Sequence, residues 1–548
     1  MKNLYVKKML SLLLNICIVS CALCACSDTS SKPSDYDSSQ DSKESDTNND
    51  ITALKPTDNA DATITVSDTV INTVNPELFG DNTSYRGEGY GLWDTETNKP
   101  QAALLEMLRN SGITHLRYPG GIEGDYYHWY EIIGDNRIAQ IDPFSDEFPT
   151  YEYSSGEPYD VVFGIEEFVE LCKQADMKAT LQVNAGTGTA QEAAYLVAYC
   201  IENNIDYTFF AIGNEGFSQA NKVKGINIQK SPQEYVAFYE ECYEKICNVS
   251  ETVRIGAIGV PSSNPLCRDT SWDAVIFSEL ADKMDFYDVH IAYAPLNRTT
   301  EINMLLDNYL SGSVWIQDQL NQVLLEMKQY TGEHYDDIDI YISEWGPLGG
   351  APYDSSVAGT VLLSTTLNMM FNEPKIQAAN HLPVLNHPDA GNLIGYKNQS
   401  GKETYWNNAS TYVFRWYSDM QNRSVLTTEV ESSTFNTQAG ISQPAAYNVN
   451  SIDAVTCVDK ENKTGTIIIT NRNKEEDISV ALNLPFDTIE ITSVKEIWHS
   501  NPLAYNNADH PDVISETTLS NDSVYNRNIG LTIDTKSVSI VRIDFKYQ

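Results

Sequence analysis

The chain has 548 residues, with 36 Lys and Arg against 76 Asp and Glu, and its formal net charge at pH 7 is −40. The hydrophobic fraction of 41% and the charged fraction of 20% indicate a globular protein rather than a disordered one. Nucleic acids and anionic membrane surfaces are bound mainly through Lys and Arg, so this acidic balance argues against both as partners and favours a neutral ligand such as a glycan.

The N-terminus has the pattern of an export signal over residues 1–26. Three lysines within the first eight residues precede a mainly apolar stretch, Met9 to Ile18, which is typical of a signal peptide and too short for a transmembrane helix. The segment Leu23-Cys24-Ala25-Cys26 resembles a bacterial lipobox and predicts that Cys26 is lipidated after cleavage, with Cys21 as a competing site. An ordinary signal peptide is the alternative.

Residues 27–60 form a polar segment that has no aliphatic side chain before Ile51. Because it has little apolar surface to bury, this segment cannot offset the entropy cost of folding, and we expect a flexible tether. Anchor and tether together predict a protein outside the cytoplasm, attached to the outer face of a bacterial membrane through its lipid alone. The six cysteines that follow lack metal-type spacing, and no metal or cofactor site is predicted from them: Cys172, Cys200, Cys242, Cys247, Cys267 and Cys457.

Between residues 61 and 424, short apolar and β-branched runs alternate with amphipathic helical patterns. Near-continuous apolar runs are typical of parallel strands that are buried on both faces. Eight βα units favour a closed (β/α)8 TIM barrel over an open sheet, and no glycine-rich phosphate loop follows any strand. The predicted strands are 78–82, 114–120, 178–186, 208–215, 253–260, 286–293, 338–346 and 376–385.

The pattern changes after residue 424, where apolar and polar residues alternate between turn clusters as far as the C-terminus. A period of two without helical segments predicts an antiparallel β-sandwich domain over residues 425–548. An early strand at 62–68 precedes the barrel, and residues 61–75 are a candidate for pairing into that sandwich.

Two glutamates stand at the ends of predicted strands: Glu215 ends the fourth and Glu344 ends the seventh. The C-terminal ends of barrel strands carry the active site, and a carboxylate that follows a buried strand is costly without a partner. Two carboxylates that face each other across a barrel mouth are the groups that glycoside hydrolysis requires. The alternative is that each glutamate caps a helix or pairs with an arginine.

Seven segments occur in the order found in one enzyme family, together with the strand-one segment Asn75 to Gly80: LRYPGG (116–121), YHW (127–129), VNAGTGTAQEA (183–193), GNE (213–215), VHIAY (289–293), SEW (343–345) and YVFRWYSDM (412–420). On these segments the chain resembles the family 51 glycoside hydrolases, the α-L-arabinofuranosidase family of clan A, from residue 75 to the C-terminus. GNE alone is weak because it recurs across the clan, whereas the ordered set is specific.

The resemblance implies a retaining mechanism in which Glu215 is the general acid/base and Glu344 the nucleophile. It also implies that Asn214 contacts the 2-hydroxyl of the sugar. A nucleophile must stay ionised, and Arg117 at the end of the second strand is predicted to keep Glu344 charged.

Further substrate-binding roles are predicted around this pair. His290 and Tyr293 on strand six are expected to orient Glu344. Trp345, Trp129 and Tyr127 are expected to form apolar walls for sugar faces, with packing in the core as the alternative.

Two positions depart from the family pattern. Where arabinofuranosidases carry a glutamate after the first strand, this chain has Ser84, and Ile122 follows the PGG motif in place of Cys or Asn. We predict a retaining, α-L-arabinofuranosidase-like hydrolase of plant-type polysaccharide or oligosaccharide. The departures favour, as an alternative, the same mechanism on another sugar (a β-glycanase or β-xylosidase-like enzyme). A third reading is a non-catalytic glycan-binding lipoprotein, and the retention of both glutamates argues against it.

Overall fold

The computed structural model of the protein describes residues 60–140, 160–218, 222–223, 226–293, 301–385, 391–399, 402–440, 443–527 and 530–548. The predicted signal peptide, Cys26 and most of the polar tether lie outside these residues. In the part that is described, no helix combines the length and the apolar character needed to cross a membrane.

The described residues contain a closed barrel of eight parallel strands, each hydrogen-bonded to its neighbours in chain order. The eighth strand pairs with both the seventh and the first, which closes the ring. The predicted barrel is therefore confirmed. The strands are β1 (Gly80–Asn82), β2 (His115–Tyr118), β3 (Lys178–Val183), β4 (Tyr207–Ile212), β5 (Ile255–Gly259), β6 (Phe286–Val289), β7 (Asp339–Gly346) and β8 (Ile376–His381).

Eight helices follow the eight strands within the same described ranges, one after each: α1 (Ala102–Arg109), α2 (Ile165–Ala175), α3 (Ala190–Glu202), α4 (Pro232–Cys247), α5 (Trp272–Leu280), α6 (Ile302–Tyr330), α7 (Val357–Asn372) and α8 (Ala409–Ser418). Local sequence fixes where several of them begin. Ser231 accepts a hydrogen bond from Glu234 N, the Glu234 carboxylate accepts one from Ser231 N, and Pro232 occupies the first turn of α4. Thr189 caps α3 in a similar way by accepting from Glu192 N.

The C-terminal region is a mostly antiparallel sheet, as predicted. Ten strands form it in the described chain, in the spatial order Thr517–Leu519, Ile489–Ile497, Ser539–Tyr547, Thr464–Asn471, Ile452–Asp459, Ser424–Glu431, Ala62–Thr73, Ile478–Asn483, Gly530–Thr535 and Val524–Arg527. The N-terminal strand Ala62–Thr73 lies inside this sheet, antiparallel to Ser424–Glu431 and parallel to Ile478–Asn483.

Helix α7 joins the two regions, and every residue from Val357 to Phe371 is buried. The hydroxyl of Ser364 on this helix lies 2.7 Å from Thr470 Oγ1 in the C-terminal sheet. A helix that is covered on all sides has an apolar sequence all round, and α7 has no charged residue.

The remaining elements are short. They are the strand pairs Trp93–Asp94 with Lys99–Pro100, Lys222–Val223 with Ile226–Asn227, Ile394–Gln399 with Lys402–Asn407 and Thr434–Phe435 with Val449–Asn450, the strand Ala292–Tyr293 beside β7, the turn Gly87–Gly91, and the 3-10 helices Pro76–Leu78, Ile122–Asp125, Trp129–Ile132, Gly332–Asp336, Tyr353–Ser355 and Asn521–Ser523.

Candidate active site

Two carboxylates meet at the mouth of the barrel, where β4 and β7 end. One oxygen of Glu215, one of Glu344 and a ring nitrogen of His290 all lie within 4.8 Å of one another. Both glutamate side chains are largely covered, with 16% and 10% of their surface exposed. Retaining glycosidases hold their carboxyl groups about 5–5.5 Å apart, and inverting ones about 6.5–9.5 Å apart. The short separation suits direct attack by one carboxylate.

A glycine places Glu215 over the barrel mouth. Strand β4 ends at Ile212, and Gly213 then adopts a φ of +92°, which L-residues with a side chain rarely adopt. A Cβ at this position would lie 2.8 Å from the Ala185 side chain, so there is also no room for one. The chain turns at Gly213 while its N–H still donates to Val183 O at 3.0 Å, and Asn214 and Glu215 follow directly.

A β-bulge places Glu344. In the pairing of β7 with β8, Ile342 lies opposite Ala379 and Trp345 opposite His381, so β7 contains one extra residue between these pairs. An extra residue interrupts the alternation of side chains along a strand. Ser343 and Glu344 therefore both take part in the polar mouth of the barrel, while Ile342 and Trp345 pack in the hydrophobic core.

Arg117 on β2 is the cation of the site and is completely buried. Its Nη1 donates to Glu344 Oε1 at 2.7 Å and to Asn82 Oδ1 at 3.1 Å. Its Nη2 donates to Asn214 Oδ1 at 2.7 Å and to Gln182 Oε1 at 3.0 Å. One guanidinium thus fixes both Glu344 and Asn214, and it stabilises the ionised form of the carboxylate.

Arg117 remains protonated although it is buried. Burial by itself would lower the pKa of Arg117, but the negative charge of Glu344 raises that pKa above its ordinary value. The guanidinium therefore remains a cation whenever Glu344 is ionised.

His290 contacts a different glutamate from the one predicted. Its Nδ1 lies 2.8 Å from Glu215 Oε1 and its Nε2 lies 2.8 Å from Ser343 Oγ, so it holds Glu215 directly rather than Glu344. Burial lowers the pKa of His290, but the charges of Glu344 and Glu215 and the bond to Glu215 together raise it above the usual value. For Tyr293 the structure describes only the backbone, which pairs with Gly346, so its orienting role stays a prediction.

Trp345 does not form a wall of the cleft, which corrects the prediction. It has no exposed surface, and its ring packs against His381 at 5.2 Å and Phe414 at 6.4 Å between centroids. The reason is the bulge, which turns Glu344 towards the mouth and the next side chain towards α8.

Trp129 and Tyr127 are also packed in the layer between strands and helices. Trp129 is 8% exposed, donates from its indole nitrogen to Glu192 O at 3.3 Å, and lies 5.2 Å from the Tyr199 ring. The Tyr127 hydroxyl hydrogen-bonds to that of Tyr118 at 2.7 Å. Both residues stabilise the fold at positions where sugar-stacking walls were expected.

A third carboxylate, Glu123, was missed by the sequence analysis. It is 5% exposed, and its Oε1 accepts a hydrogen bond at 2.7 Å from the hydroxyl of Ser84, which is itself completely buried. Ser84, at the position where the family carries a glutamate, therefore contacts Glu123. Burial raises the pKa of Glu123, while the charge of Arg86 and the Ser84 hydrogen bond oppose that rise. Its only signal in the sequence is a glutamate two residues after the PGG motif.

Ile122 has a structural role. It packs against the buried Tyr126 and Ile228, in a small apolar cluster beside the mouth. Its side chain therefore contributes to the shape of this loop.

Glu215, His290 and Glu344 are also the one group of three in the described chain whose ligand atoms are close enough for a metal ion. Protein groups already engage these atoms: the two ring nitrogens contact Glu215 and Ser343, and the Arg117 cation lies against Glu344. A second cation beside the guanidinium would be repelled. The arrangement suits proton transfer and nucleophilic attack by the carboxylates better than metal binding.

Comparisons with known proteins find similarity to α-L-arabinofuranosidases. The family model described as "Alpha-L-arabinofuranosidase 1 domain" matches residues 107–235, a segment that includes Arg117, Glu123 and Glu215. The chain is 21% identical over 518 residues to an intracellular exo-α-L-arabinofuranosidase of Bacteroides ovatus, covering 87% of this chain and 94% of the relative.

Solved structures show the same fold. A family 51 α-L-arabinofuranosidase from Bifidobacterium longum superposes with a TM-score of 0.74 at 19% identity, covering 89% of this chain and 100% of the other. The arabinose complex of an α-L-arabinofuranosidase from Thermotoga maritima has a TM-score of 0.71 at 19% identity, with coverages of 88% and 99%. At such identities the likeness establishes the barrel and the C-terminal sheet.

Proposed function

We infer that the chain belongs to the family 51 glycoside hydrolases, and we propose that it is a retaining α-L-arabinofuranosidase acting on arabinose-bearing plant-type polysaccharide or oligosaccharide. The observation that carries the proposal is the pairing of Glu215 and Glu344 within 4.8 Å, with a cation against Glu344. Two largely covered carboxylates with separate partners are the groups that a two-step displacement requires.

In the first step the Glu344 carboxylate attacks the anomeric carbon, and the Glu215 carboxyl donates its proton to the departing oxygen. A covalent glycosyl-enzyme ester forms at Glu344, and the leaving group departs as an alcohol. Arg117, at 2.7 Å from Glu344 Oε1, stabilises the anion before the attack.

In the second step Glu215, now a carboxylate, takes a proton from water, and the resulting nucleophile cleaves the ester with a second inversion. Formation of the ester removes the negative charge of Glu344 from the neighbourhood of Glu215. Two inversions at the same carbon give net retention of configuration.

Asn214 is proposed to bind the 2-hydroxyl of the sugar. Its Oδ1 already accepts from Arg117 Nη2 at 2.7 Å, so the side-chain amide presents its N–H groups to a ligand. The sugar oxygen would then act as the acceptor, and this bond strengthens as positive charge develops on the ring.

The arabinofuranosyl specificity is supported by the family model and by relatives that are named α-L-arabinofuranosidases. The departures at Ser84 and Ile122 favour a different sugar as the second candidate, with the same mechanism. Against it, Glu123 supplies a carboxylate immediately beside Ser84.

A panel of 4-nitrophenyl glycosides tests the proposal, with Glu344→Gln as the inactive control. We expect the α-L-arabinofuranoside to give the highest kcat/KM in a panel that includes β-D-xyloside and β-D-glucoside. A higher kcat/KM for another glycoside would show that the enzyme acts on a different sugar by the same mechanism. Binding of arabino-oligosaccharides without turnover of any glycoside would favour a binding protein instead.

We propose separately that the protein is lipid-anchored through Cys26 outside the cytoplasm. The support is the lipobox-like segment and the polar residues 27–60, while relatives such as the Bacteroides ovatus enzyme are named intracellular. Metabolic labelling with a fatty acid should mark the wild type and Cys21→Ala but not Cys26→Ala. Unchanged labelling and membrane retention of Cys26→Ala would show that the anchor is elsewhere or absent.

A further inference from the structure

The mechanism above assigns no task to Glu123, a buried acid at the barrel mouth. Glu123 lies in the 3-10 helix Ile122–Asp125, which follows the end of β2 and the PGG motif. The two carboxylates are close enough to interact, and the negative charge of Glu344 contributes to the raised pKa of Glu123. Placing two like charges together is costly, so a compensating use for the second one is expected.

Gly121 shows where the two carboxylates face the same space. A Cβ on Gly121 would lie 2.8 Å from Glu344 Oε1 and 3.8 Å from Glu123 Oε2. A side chain at this position would collide with Glu344, so glycine allows the two carboxylates to lie beside the same stretch of backbone. A sugar ring held for attack by Glu344 would bring its hydroxyl groups within reach of Glu123.

The carboxylate of Glu123 is fixed from the opposite side. Ser84 Oγ donates to Oε1 at 2.7 Å, and Tyr90 OH donates to the same oxygen at 3.4 Å. The charge of the buried Arg86 favours the ionised form. The two hydroxyl groups hold Oε1, and Oε2 is the oxygen turned towards Gly121.

We propose that Glu123 is a substrate-binding residue that accepts a hydrogen bond from a hydroxyl group of the sugar seated at Glu344, and that it thereby determines which sugar is accepted. The inference rests on the proposed glycosidase function and specifies its sugar site. A buried carboxylate is a strong acceptor for a hydroxyl donor, and it discriminates against a sugar that lacks the hydroxyl because the acceptor would be left unpaired. Ser84 then acts as the support of a carboxylate that another loop supplies.

The experiment is a cycle between protein and substrate. The wild type and Glu123→Gln are assayed on 4-nitrophenyl α-L-arabinofuranoside and on its 2-, 3- and 5-deoxy analogues. We expect Glu123→Gln to lower kcat/KM about tenfold to a hundredfold on the complete sugar. For either the 3- or the 5-deoxy analogue, the wild type should show a similar loss of kcat/KM relative to the complete sugar. Glu123→Gln should lower kcat/KM on that analogue little further, because the hydrogen bond it removes is already missing.

The 2-deoxy analogue is the internal control, because its missing hydroxyl is assigned to Asn214. The factor by which this analogue lowers kcat/KM should therefore multiply with the factor by which Glu123→Gln lowers it. The matched protein control is Glu167→Gln, which removes a largely buried carboxylate whose partners are Arg137 at 2.7 Å and Gly164 N at 2.8 Å. This variant should keep its kcat/KM. Losses that multiply for all three analogues would overturn the proposal.

A folding defect is distinguished from a lost contact in two ways. Ser84→Ala keeps the Glu123 charge and removes only its hydroxyl support. It should lower kcat/KM a few-fold on the complete sugar but much less on the analogue identified above.

The same cycle is also measured by calorimetric binding of the free sugars in a Glu344→Gln background. If the wild type hydrolyses no glycoside, the proposed function fails. A deoxy-specific loss of binding in Glu123→Gln still supports the contact in that case, and equal binding of all the sugars overturns it.

Discussion

The imidazole of His290 holds the carboxylate of Glu215 at 2.8 Å, through Nδ1. Its other nitrogen lies 2.8 Å from the hydroxyl of Ser343, the residue before Glu344, so one ring is tied to both sides of the proposed catalytic pair. The raised pKa of His290 favours the imidazolium, which donates from both nitrogens. The positions of the two glutamates are therefore coupled through a side chain that was expected to serve only one of them.

Substitution of Glu344 and substitution of Glu215 should lower activity in different ways. Glu344→Gln removes the nucleophile, and we expect kcat to fall by at least about 10⁴ on every substrate. Glu215→Ala should spare the first step for glycosides with good leaving groups, because these need little protonation. Azide should then speed the second step and give a glycosyl azide of retained configuration, as measured by NMR. An inverted first product would overturn the assignment of the roles.

Arg117→Lys should lower kcat/KM by about 10²–10³. A lysine ammonium cannot span Glu344, Asn82, Gln182 and Asn214 with the geometry of the guanidinium fork, so both the nucleophile and Asn214 lose their support. Steady-state kinetics and thermal unfolding should be measured together. Arg137→Lys, which changes the ion pair with Glu167, is the matched control and should keep its kcat/KM. Equal activity of the two variants would contradict the role of Arg117.

Trp345→Phe should affect stability more than activity. The indole is buried against Phe414 and His381, and its truncation should cost about 1–3 kcal/mol in the free energy of unfolding. We expect kcat/KM to change by less than about fivefold at a temperature where the variant is folded. Denaturant unfolding and kinetics check both parts. A large rise in KM with unchanged stability would instead show that Trp345 contacts the sugar.

Asp273→Asn should change how stability depends on pH. Asp273, at the start of α5, accepts from Tyr287 OH at 2.7 Å and from Val260 N at 3.2 Å, and its other oxygen has no hydrogen-bond partner among the described residues. Burial raises the pKa of Asp273 from 3.8 to about 8. The folded state therefore keeps a proton that the unfolded chain releases.

The sign follows from this raised pKa. The stabilisation from the bound proton is complete below pH 3.8 and is lost as the pH rises towards about 8. The neutral amide has no such dependence. Asp273→Asn should therefore gain stability relative to the wild type across this range, by at most about 1.4 kcal/mol per pH unit. Denaturant unfolding of both proteins from pH 4 to pH 8 measures the difference, and a difference independent of pH would refute the prediction.

The sequence by itself determined the order of strands and helices and the two positions of the catalytic candidates. Parallel barrel strands are buried on both faces, so each is a short apolar run, and a charged residue that ends such a run stands out. Glu215 and Glu344 were therefore visible without coordinates. The departure at Ser84 was visible too, but what takes its place was not.

Only the tertiary structure decided which side chains meet. A single extra residue in β7 places Glu344 at the mouth and Trp345 in the core. No residue type in the strand predicts that bulge. Arg117 and Glu344 are 227 positions apart, and Ser84 and Glu123 are 39 apart on different loops. Periodicity reports how a segment is buried, whereas contacts between segments depend on barrel closure and loop conformation. For that reason the partner of His290 and the carboxylate of Glu123 were found only in the folded chain.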